Sequence, residues 1–260
     1  MITSTSSSQV KTVVSLQKKA KTRKETKQFV VEGMKMVSEV PQDRLVKVYF
    51  SESFAAANVS FLNKFAKEQT ELVSDIVFAQ MSDTKTPQGA LAIVKMAQYT
   101  VQDMMKDKPL LLLVENLQDP GNLGTIIRLA DWFGIEDIIC SQNTVDVYNP
   151  KTVQATMGGI ARVRVHYTSL PDFIRSQGKE IPVFGTFLDG QNMYEQPLAA
   201  NGLIVMGNEG NGIGKEVEAL INRKLYIPNY PQGQETSESL NVAIATAVIC
   251  AEFRRQAAWK

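Results

Sequence analysis

The chain of 260 residues carries a formal net charge of +1 and is 44% hydrophobic. This composition supplies an apolar core for one large domain or two smaller ones, and it excludes a disordered chain. Two cysteines and one histidine give neither a disulfide framework nor a histidine-rich metal cluster, so we expect no metal. No apolar run is long enough to cross a membrane, so we expect no membrane partner.

The charges are unevenly distributed along the chain. Residues 1–47 hold ten Lys or Arg against four Asp or Glu, so the remainder carries a net charge of −5. A basic segment on a slightly acidic body predicts a local contact with a polyanion, although a solvated basic helix would carry the same charges.

The cysteines also bear on the compartment. Cys140 and Cys250 lie far apart in apolar segments, which is typical of buried free thiols in a reducing compartment, and we expect a cytoplasmic protein. The first 24 residues lack acids and are rich in Ser, Thr and Lys, which leaves a cleaved targeting segment as the alternative.

Residues 1–100 alternate short helical and strand patterns, which predicts a small α/β domain. The predicted helices span residues 9–21, 33–39 and 58–68, and the predicted strands span residues 29–32, 46–50 and 90–95. The polar stretch 99–108 lacks a core pattern, so we place a linker at 101–108 and a second domain at 109–260.

The second domain has a regular alternation of strands and helices, which predicts a mostly parallel sheet with helices on both faces. The predicted strands span residues 110–114, 137–140, 162–166, 182–186, 203–206 and 224–227. The predicted helices span residues 122–133, 150–157, 170–177, 214–222 and 238–255. Open sheets of this kind bind ligands in the loops at the carboxyl ends of their strands.

Common nucleotide and catalytic motifs are missing from the sequence. The glycines between Gly210 and Gly214 do not have dinucleotide-binding spacing, and Lys215 is followed by Glu216 rather than by the Ser or Thr of a phosphate loop. His166 lies in an apolar strand, where a packed residue is a more frequent outcome than a catalyst. The chemistry is therefore expected in three polar loops.

Each of these loops joins a strand to a helix. The first, residues 116–128, carries Asn122, predicted as a helix N-cap, and Arg128. The second, residues 205–214, has four glycines around Glu209, which favours backbone contacts to a ligand. The third places Ser239 and Asn241 before an alanine-rich helix, where both are also suited simply to cap it.

In order and spacing, these loops resemble the three motifs of the SpoU (TrmH) family of SPOUT methyltransferases. The matching segments are Asn122-Leu-Gly-Thr-Ile-Ile-Arg128, Met206-Gly-Asn-Glu-Gly-Asn-Gly212 and Ser239-Leu-Asn-Val242, within a resemblance that covers roughly residues 108–257. Phe29-Val-Val-Glu-Gly33 and Pro87-Gln-Gly-Ala-Leu-Ala-Ile93 are similar to the L30e-like substrate-binding domain of the rRNA-modifying members. Gln154 departs from the family pattern, in which Arg is usual.

The resemblance implies a trefoil-knotted α/β catalytic domain, a homodimer formed through the last helix, and S-adenosylmethionine as cofactor. It implies cofactor contacts from Thr186, Gly207, Ile227 and Leu240. The implied catalytic set is Arg128, Asn122, Glu209, Ser239 and Asn241.

The implied reaction is methyl transfer to a ribose 2′-hydroxyl of structured RNA, with 23S-type rRNA as the expected partner. A tRNA 2′-O-methyltransferase, a base methyltransferase and a non-catalytic RNA-binding protein remain alternatives. The family mechanism makes Arg128 the base, but a guanidinium has a pKa above about 12. Arg128 alternatively holds a phosphate and stabilises the developing alkoxide electrostatically.

Overall fold

The computed structural model describes residues 1–99, 110–231, 237 and 239–258, and the chain forms two compact units. Unit 1 comprises Met1–Gln98 with Tyr148–Ala161, and unit 2 comprises Tyr99–Val147 with Arg162–Lys260. The predicted linker at 101–108 lies outside the described residues.

Unit 1 is built on a four-stranded mixed sheet. Its strands are β1 (Gln28–Glu32), β2 (Leu45–Ser51), β3 (Thr70–Val73) and β4 (Ala90–Lys95), in the order β1-β4-β2-β3. β4 is antiparallel to β1 and β2, and β3 is parallel to β2. Its first six helices are α1 (Ser8–Lys18), α2 (Ala20–Thr26), α3 (Met34–Ser38), α4 (Glu52–Ala57), α5 (Val59–Leu62) and α6 (Asp75–Met81).

Alternating side chains along the strands give unit 1 a packed layer of helix on its sheet. Val13 and Leu16 of α1 and Met81 of α6 are fully buried against Leu91 and Tyr49 of the sheet. Burying a side chain of this size stabilises the fold by about 1.5–3 kcal/mol.

The predicted helix at 9–21 is wrong in its extent, because the chain breaks into α1 and α2 at Lys19, which is extended with φ −121° and ψ 109°. The buried Arg23 guanidinium donates to the carbonyls of Leu16 (2.8 Å) and Gln17 (3.1 Å), which end α1. Arg23 is thus a helix-terminating residue, whereas Lys18, Lys19, Lys21 and Lys24 remain exposed.

The predicted helix at 58–68 is also wrong. Helical structure there is confined to α5 and a 3₁₀ turn at Lys67–Gln69. Phe61 and Phe65 instead pack their rings around Phe50 of β2, with centroids 6.0 and 5.8 Å away, so tertiary packing overrides the helical spacing. The elements α4, β3 and α6 were not predicted, because each is seven residues or shorter.

Unit 2 has a six-stranded parallel sheet in the order β10-β8-β9-β5-β6-β7. The strands are β5 (Leu110–Val114), β6 (Asp137–Ser141), β7 (Arg164–Thr168), β8 (Val183–Asn192), β9 (Gly202–Met206) and β10 (Arg223–Tyr226). The helices of this half of the chain are α7 (Pro120–Trp132), α8 (Pro150–Ala155), α9 (Leu170–Ser176), α10 (Lys215–Glu218) and α11 (Val242–Ala258), of which α8 belongs to unit 1.

The parallel sheet confirms the predicted α/β fold, and its order defines the ligand edge. β5 pairs with β9 on one side and with β6 on the other, so the strand order reverses direction beside β5. Ligands bind α/β sheets at such a switch point, beyond the carboxyl ends of the strands. The loops after β5 and β9 carry the first two motifs.

Several boundaries in unit 2 differ from the prediction. α7 begins at Pro120 because the Asp119 carboxylate accepts from the backbone amide of Asn122 at 2.7 Å. Asp119 is therefore the N-cap, and the predicted capping role of Asn122 is wrong. α10 is shorter than predicted, α11 begins only at Val242, and β8 runs six residues further than predicted, to Asn192.

The single histidine belongs to a buried ionic cluster at the amino ends of β6 and β7. Asp137, 1% exposed, accepts from Arg164 at 2.6 and 2.7 Å and lies 3.0 Å from His166. Burial alone would raise the pKa of Asp137, but the hydrogen bonds from Arg164 and His166 outweigh it and lower that pKa. His166 is thus a packed residue of the fold.

Both cysteines are buried free thiols, and burial raises the pKa of Cys250 to about 12. Among the described residues, no helix is long and apolar enough to span a membrane. Within the same residues, no group of His, Cys, Asp and Glu is arranged to hold a metal ion.

Candidate active site

A cleft of about 510 Å³ opens at the carboxyl ends of β8, β9 and β10. It brings together residues from the second and third motifs and from the end of β8. Its lining includes Thr186, Gly207, Glu209, Ile227, Ser239 and Leu240. These six come from the sets that the motif resemblance implied for the cofactor and for catalysis.

The loop after β9 forms one wall of the cleft and folds back on itself. Asn208 and Gly212 form an antiparallel bridge, and the Asn208 side chain accepts from the amides of Gly210 (2.8 Å) and Asn211 (3.2 Å). The backbone of Gly212 lies so close to Gly207 that a Cβ at position 207 would collide with it. Only glycine fits there, which explains the glycine directly after the strand.

Two polar groups tie this loop to the end of β5. The buried Glu115 carboxylate accepts from the Gly214 amide at 2.8 Å, and the Asn208 side-chain amide donates to the Asn116 carbonyl at 2.8 Å. The first and second motif loops are therefore held in one arrangement. Glu115, Asn116 and Asn208 were not predicted as site residues, although the run of polar residues after a buried strand could have indicated them.

A chain of side-chain hydrogen bonds links all three motifs. The Asn241 amide donates to the Asn122 carbonyl oxygen at 3.0 Å, and the Asn122 amide donates to the Glu209 carboxylate. Asn241 also accepts from the amides of Ala243 (3.0 Å) and Ile244 (3.3 Å), so it is the N-cap of α11. Residues that are 119 positions apart in sequence are thus directly bonded beside the cleft.

Another wall is formed by a bulge in β8. β10 pairs first with Phe184 and Gly185 and then with Gln191 and Asn192, so the intervening residues leave the regular ladder. Thr186, Phe187 and Leu188 in this bulge line the cleft. The strand was predicted to end at Thr186, because a bulge depends on pairing with a strand far along the chain.

Charge is distributed on both sides of the cleft. Glu209 and Glu218 supply carboxylates, and Lys224 lies 4.4 Å from the centroid of the Phe187 ring. The hydrogen bond from Lys224 to Glu218 raises the pKa of Lys224, and Asp189 adds to this shift. The lysine is therefore a fixed cation beside this wall.

Arg128 is placed apart from the other predicted catalytic residues. It is exposed on α7, outside the cleft lining, and forms no hydrogen bond or ion pair within the described part of the chain. Asn122, Glu209 and Asn241 are connected to one another, and Ser239 lines the cleft beside them. Arg128 is thus available to a ligand that approaches from solvent.

The fold and this cleft define an α/β protein with a small-ligand site at the carboxyl edge of a parallel sheet, an arrangement typical of enzymes. The sequence matches the family model described as SpoU rRNA Methylase family over residues 109–251. The chain belongs to the SpoU rRNA methylase family. Residues 7–92 match a second model, the MRM3-like substrate binding domain.

Similar proteins agree with this assignment over nearly the whole chain. The chain is 30% identical to the 23S rRNA (guanosine(2553)-2′-O)-methyltransferase RlmP of Bacillus subtilis, over 91% of this chain and 94% of the relative. A putative RNA methyltransferase of the TrmH family from Porphyromonas gingivalis has a structure with a TM-score of 0.80 and 37% identity, over 98% and 99% of the two chains. An AdoMet-bound rRNA methyltransferase from Sinorhizobium meliloti gives a TM-score of 0.84 and 27% identity, over 98% and 97%.

Proposed function

We propose that this protein transfers a methyl group from S-adenosylmethionine to a ribose 2′-hydroxyl of ribosomal RNA. The observation that carries the proposal is the hydrogen-bond chain Asn241–Asn122–Glu209 beside the cleft. It joins the three motifs of a family whose members include an rRNA 2′-O-methyltransferase of similar length. The sheet edge, the cleft and the family thus support one reaction.

The cleft fits S-adenosylmethionine. Its volume of about 510 Å³ lies in the range of small-ligand sites, and Leu188, Met206 and Ile227 give it apolar surface for a flat ring system. The carboxylates of Glu209 and Glu218 suit a cationic ligand, and a Cβ built on Gly212 would meet nothing within 4 Å, so the loop leaves room. A bound sulfonium cofactor supplies an already activated methyl group.

The residues of this chain then position the acceptor and manage its proton. The ribose oxygen forms a bond to the methyl carbon as the carbon–sulfur bond breaks, and the hydroxyl proton is released. Asn122, Glu209 and Asn241 hold the loops at the distance that in-line attack requires. Arg128 holds a phosphate of the RNA and stabilises the developing alkoxide, because an exposed guanidinium provides five donors and a fixed charge.

RNA recognition belongs to the N-terminal residues 1–100, and catalysis belongs to residues 109–260, joined by the linker at 101–108. The exposed lysines of α1 and α2 and the match of residues 7–92 to a substrate binding domain support this division. Phosphate contacts from such lysines release counterions, so RNA binding is expected to weaken with salt.

The proposal includes a homodimer formed through α11 and a trefoil knot in unit 2. Val242, Ile249 and Phe253 of α11 are buried within the chain itself, but Ile244 is 54% exposed and Leu240 is 48% exposed. Exposed apolar side chains in one region are typical of interfaces. The pairing of β10 with both ends of the bulged β8 is compatible with a knotted chain. The free buried thiols favour the cytoplasm.

Methyl transfer from labelled S-adenosylmethionine tests this function. Purified rRNA and tRNA from a strain that lacks the gene serve as acceptors, and nucleoside analysis separates ribose from base products. We expect a 2′-O-methylated nucleoside from rRNA. Arg128→Ala should lower the rate at least tenfold with cofactor affinity nearly unchanged, whereas the control Arg223→Ala, exposed at the amino end of β10, should not. Label only in tRNA, in a base, or in no RNA would overturn the proposal.

A further inference from the structure

Unit 1 contains a second cavity, of about 320 Å³, in which the proposed reaction has no part. Its wall combines the end of α1, strand β1, the loop after α6, and α8, all within unit 1. The lining residues are Gln17, Val30, Glu32, Asp83, Thr84, Pro150, Lys151, Val153, Gln154 and Ala155.

The wall includes a buried carboxylate with only one of its oxygens hydrogen-bonded. Glu32 is 5% exposed, and its Oε1 accepts from the hydroxyls of Ser82 (2.6 Å) and Thr84 (3.1 Å) and from the Gln88 amide (3.2 Å). Its Oε2 is buried and has no hydrogen-bond partner among the described residues. A buried charged oxygen without a donor is costly, so the arrangement calls for a donor from a ligand.

The remaining walls define which donor fits. Val30, Pro150 and Val153 provide apolar surface on which a flat ring can lie, and Lys151 at the rim is exposed. A lysine beside the opening attracts a phosphate and opposes a purely cationic ligand, although Asp83 is a second acid in the wall. Single-stranded RNA offers this combination, an unstacked base with an attached phosphate.

We propose that this cavity binds one unpaired nucleobase of the RNA substrate, and that Glu32 accepts a hydrogen bond from the exocyclic amino group of that base. Guanine, adenine and cytosine carry such a group. Uracil presents two carbonyl oxygens instead, which a carboxylate repels. The cavity thereby selects the sequence around the methylation site, so the inference rests on the proposed function.

The first test uses nucleoside monophosphates as probes of the full-length protein, with S-adenosylhomocysteine present at saturation to block the cleft in unit 2. Ligand-observed NMR compares GMP with IMP and CMP with UMP, pairs that differ by an amino group. We expect the amino member of at least one pair to bind about tenfold more tightly, as one hydrogen bond to a charged group provides. Equal binding within both pairs, or binding of a polyamine but of no nucleotide, would overturn the inference.

Glu32→Gln is the matched variant, since its amide keeps the oxygen that Ser82, Thr84 and Gln88 need and replaces Oε2 with a donor. The preference for the amino member should disappear, while thermal stability should not fall because no partner of Oε2 is lost. Glu25→Gln, an exposed residue of α2, controls for the change in charge. A preference that persists in Glu32→Gln would contradict the role of this carboxylate.

Gln154→Arg provides a second variant that fills the same cavity with a guanidinium. It should abolish discrimination between the paired nucleotides and leave cofactor affinity unchanged, and unaltered discrimination would count against the cavity as the site. The outcomes separate the two proposals. Methylation of rRNA without nucleotide discrimination refutes the base pocket alone, and discrimination without methylation of any RNA refutes the proposed function alone.

Discussion

The hydrogen-bond chain between the motifs can be inverted by exchanging its two ends. In the wild type, Asn241 donates to Asn122, and Asn122 donates to Glu209. Asn241→Asp keeps the oxygen that caps α11 but leaves one amide, that of Asn122, to serve two carboxylates. One hydrogen bond is therefore lost while the helix cap remains.

The expected size of the effect follows from the exposure of the network. Glu209 and Asn241 are exposed, so solvent weakens the interaction, and we assign about 0.5–1.5 kcal/mol to the lost bond. Cofactor affinity and kcat/KM should fall roughly two- to tenfold. Asn241→Ala loses the cap as well and should cost about a further 1 kcal/mol in the free energy of unfolding.

The double variant Glu209→Gln with Asn241→Asp rebuilds the chain in the opposite direction. The new amide at position 209 would donate to Asn122, and Asn122 would donate to the new carboxylate at position 241. Calorimetric cofactor titration of the two single variants and the double variant gives the coupling free energy. We expect the double variant to bind the cofactor more tightly than either single variant. Strictly additive losses would refute the idea that these three residues act as one positioning network.

Four further predictions concern other contacts. Gly207→Ala should abolish cofactor binding in calorimetry because its Cβ meets the Gly212 backbone, whereas Gly210→Ala, whose Cβ would lie 3.5 Å from the nearest side chain, should bind normally. Asp137→Asn should cost about 3 kcal/mol of unfolding free energy at neutral pH. The lowered folded-state pKa of Asp137 means that its contribution is complete above the unfolded value of about 3.9 and is lost as pH falls through the folded pKa, so denaturation of the variant should depend less on pH in that acid range. Ile244→Asp should yield a monomer in sedimentation, and Ile76→Asp, a change at another exposed isoleucine in α6, should not. Glu substitutions at Lys18, Lys19, Lys21 and Lys24 should weaken RNA binding and flatten its salt dependence by about 0.7–0.9 per lost phosphate contact, and an unchanged slope would mean that these lysines are only solvated.

Long, regular elements of the chain were predictable from the sequence. The apolar run at Leu110–Val114 and the periodic helix that follows it indicated the start of the parallel sheet, because burial on both faces leaves a clear hydrophobic pattern. The short elements around Phe50 and Phe61 were not predictable, since ring packing between distant segments determines their backbone.

The site shows the same division between local and long-range determinants. Asn122, Glu209 and Asn241 could be selected by motif, but their direct connection depends on contacts across 87 and 119 residues. The N-cap of α7 is Asp119 rather than Asn122 because Pro120 suits the first helical turn and the Asp119 carboxylate reaches the following amide. This leaves the Asn122 side chain able to join the network.

The most direct test of the proposed function is a map of ribose methylation in the rRNA of a strain that lacks this gene. We predict the loss of a 2′-O-methyl group from rRNA, its return when the wild-type gene is supplied, and no return with the Gly207→Ala variant. A complete and unchanged set of rRNA 2′-O-methyl groups in the deletion strain would contradict the central claim.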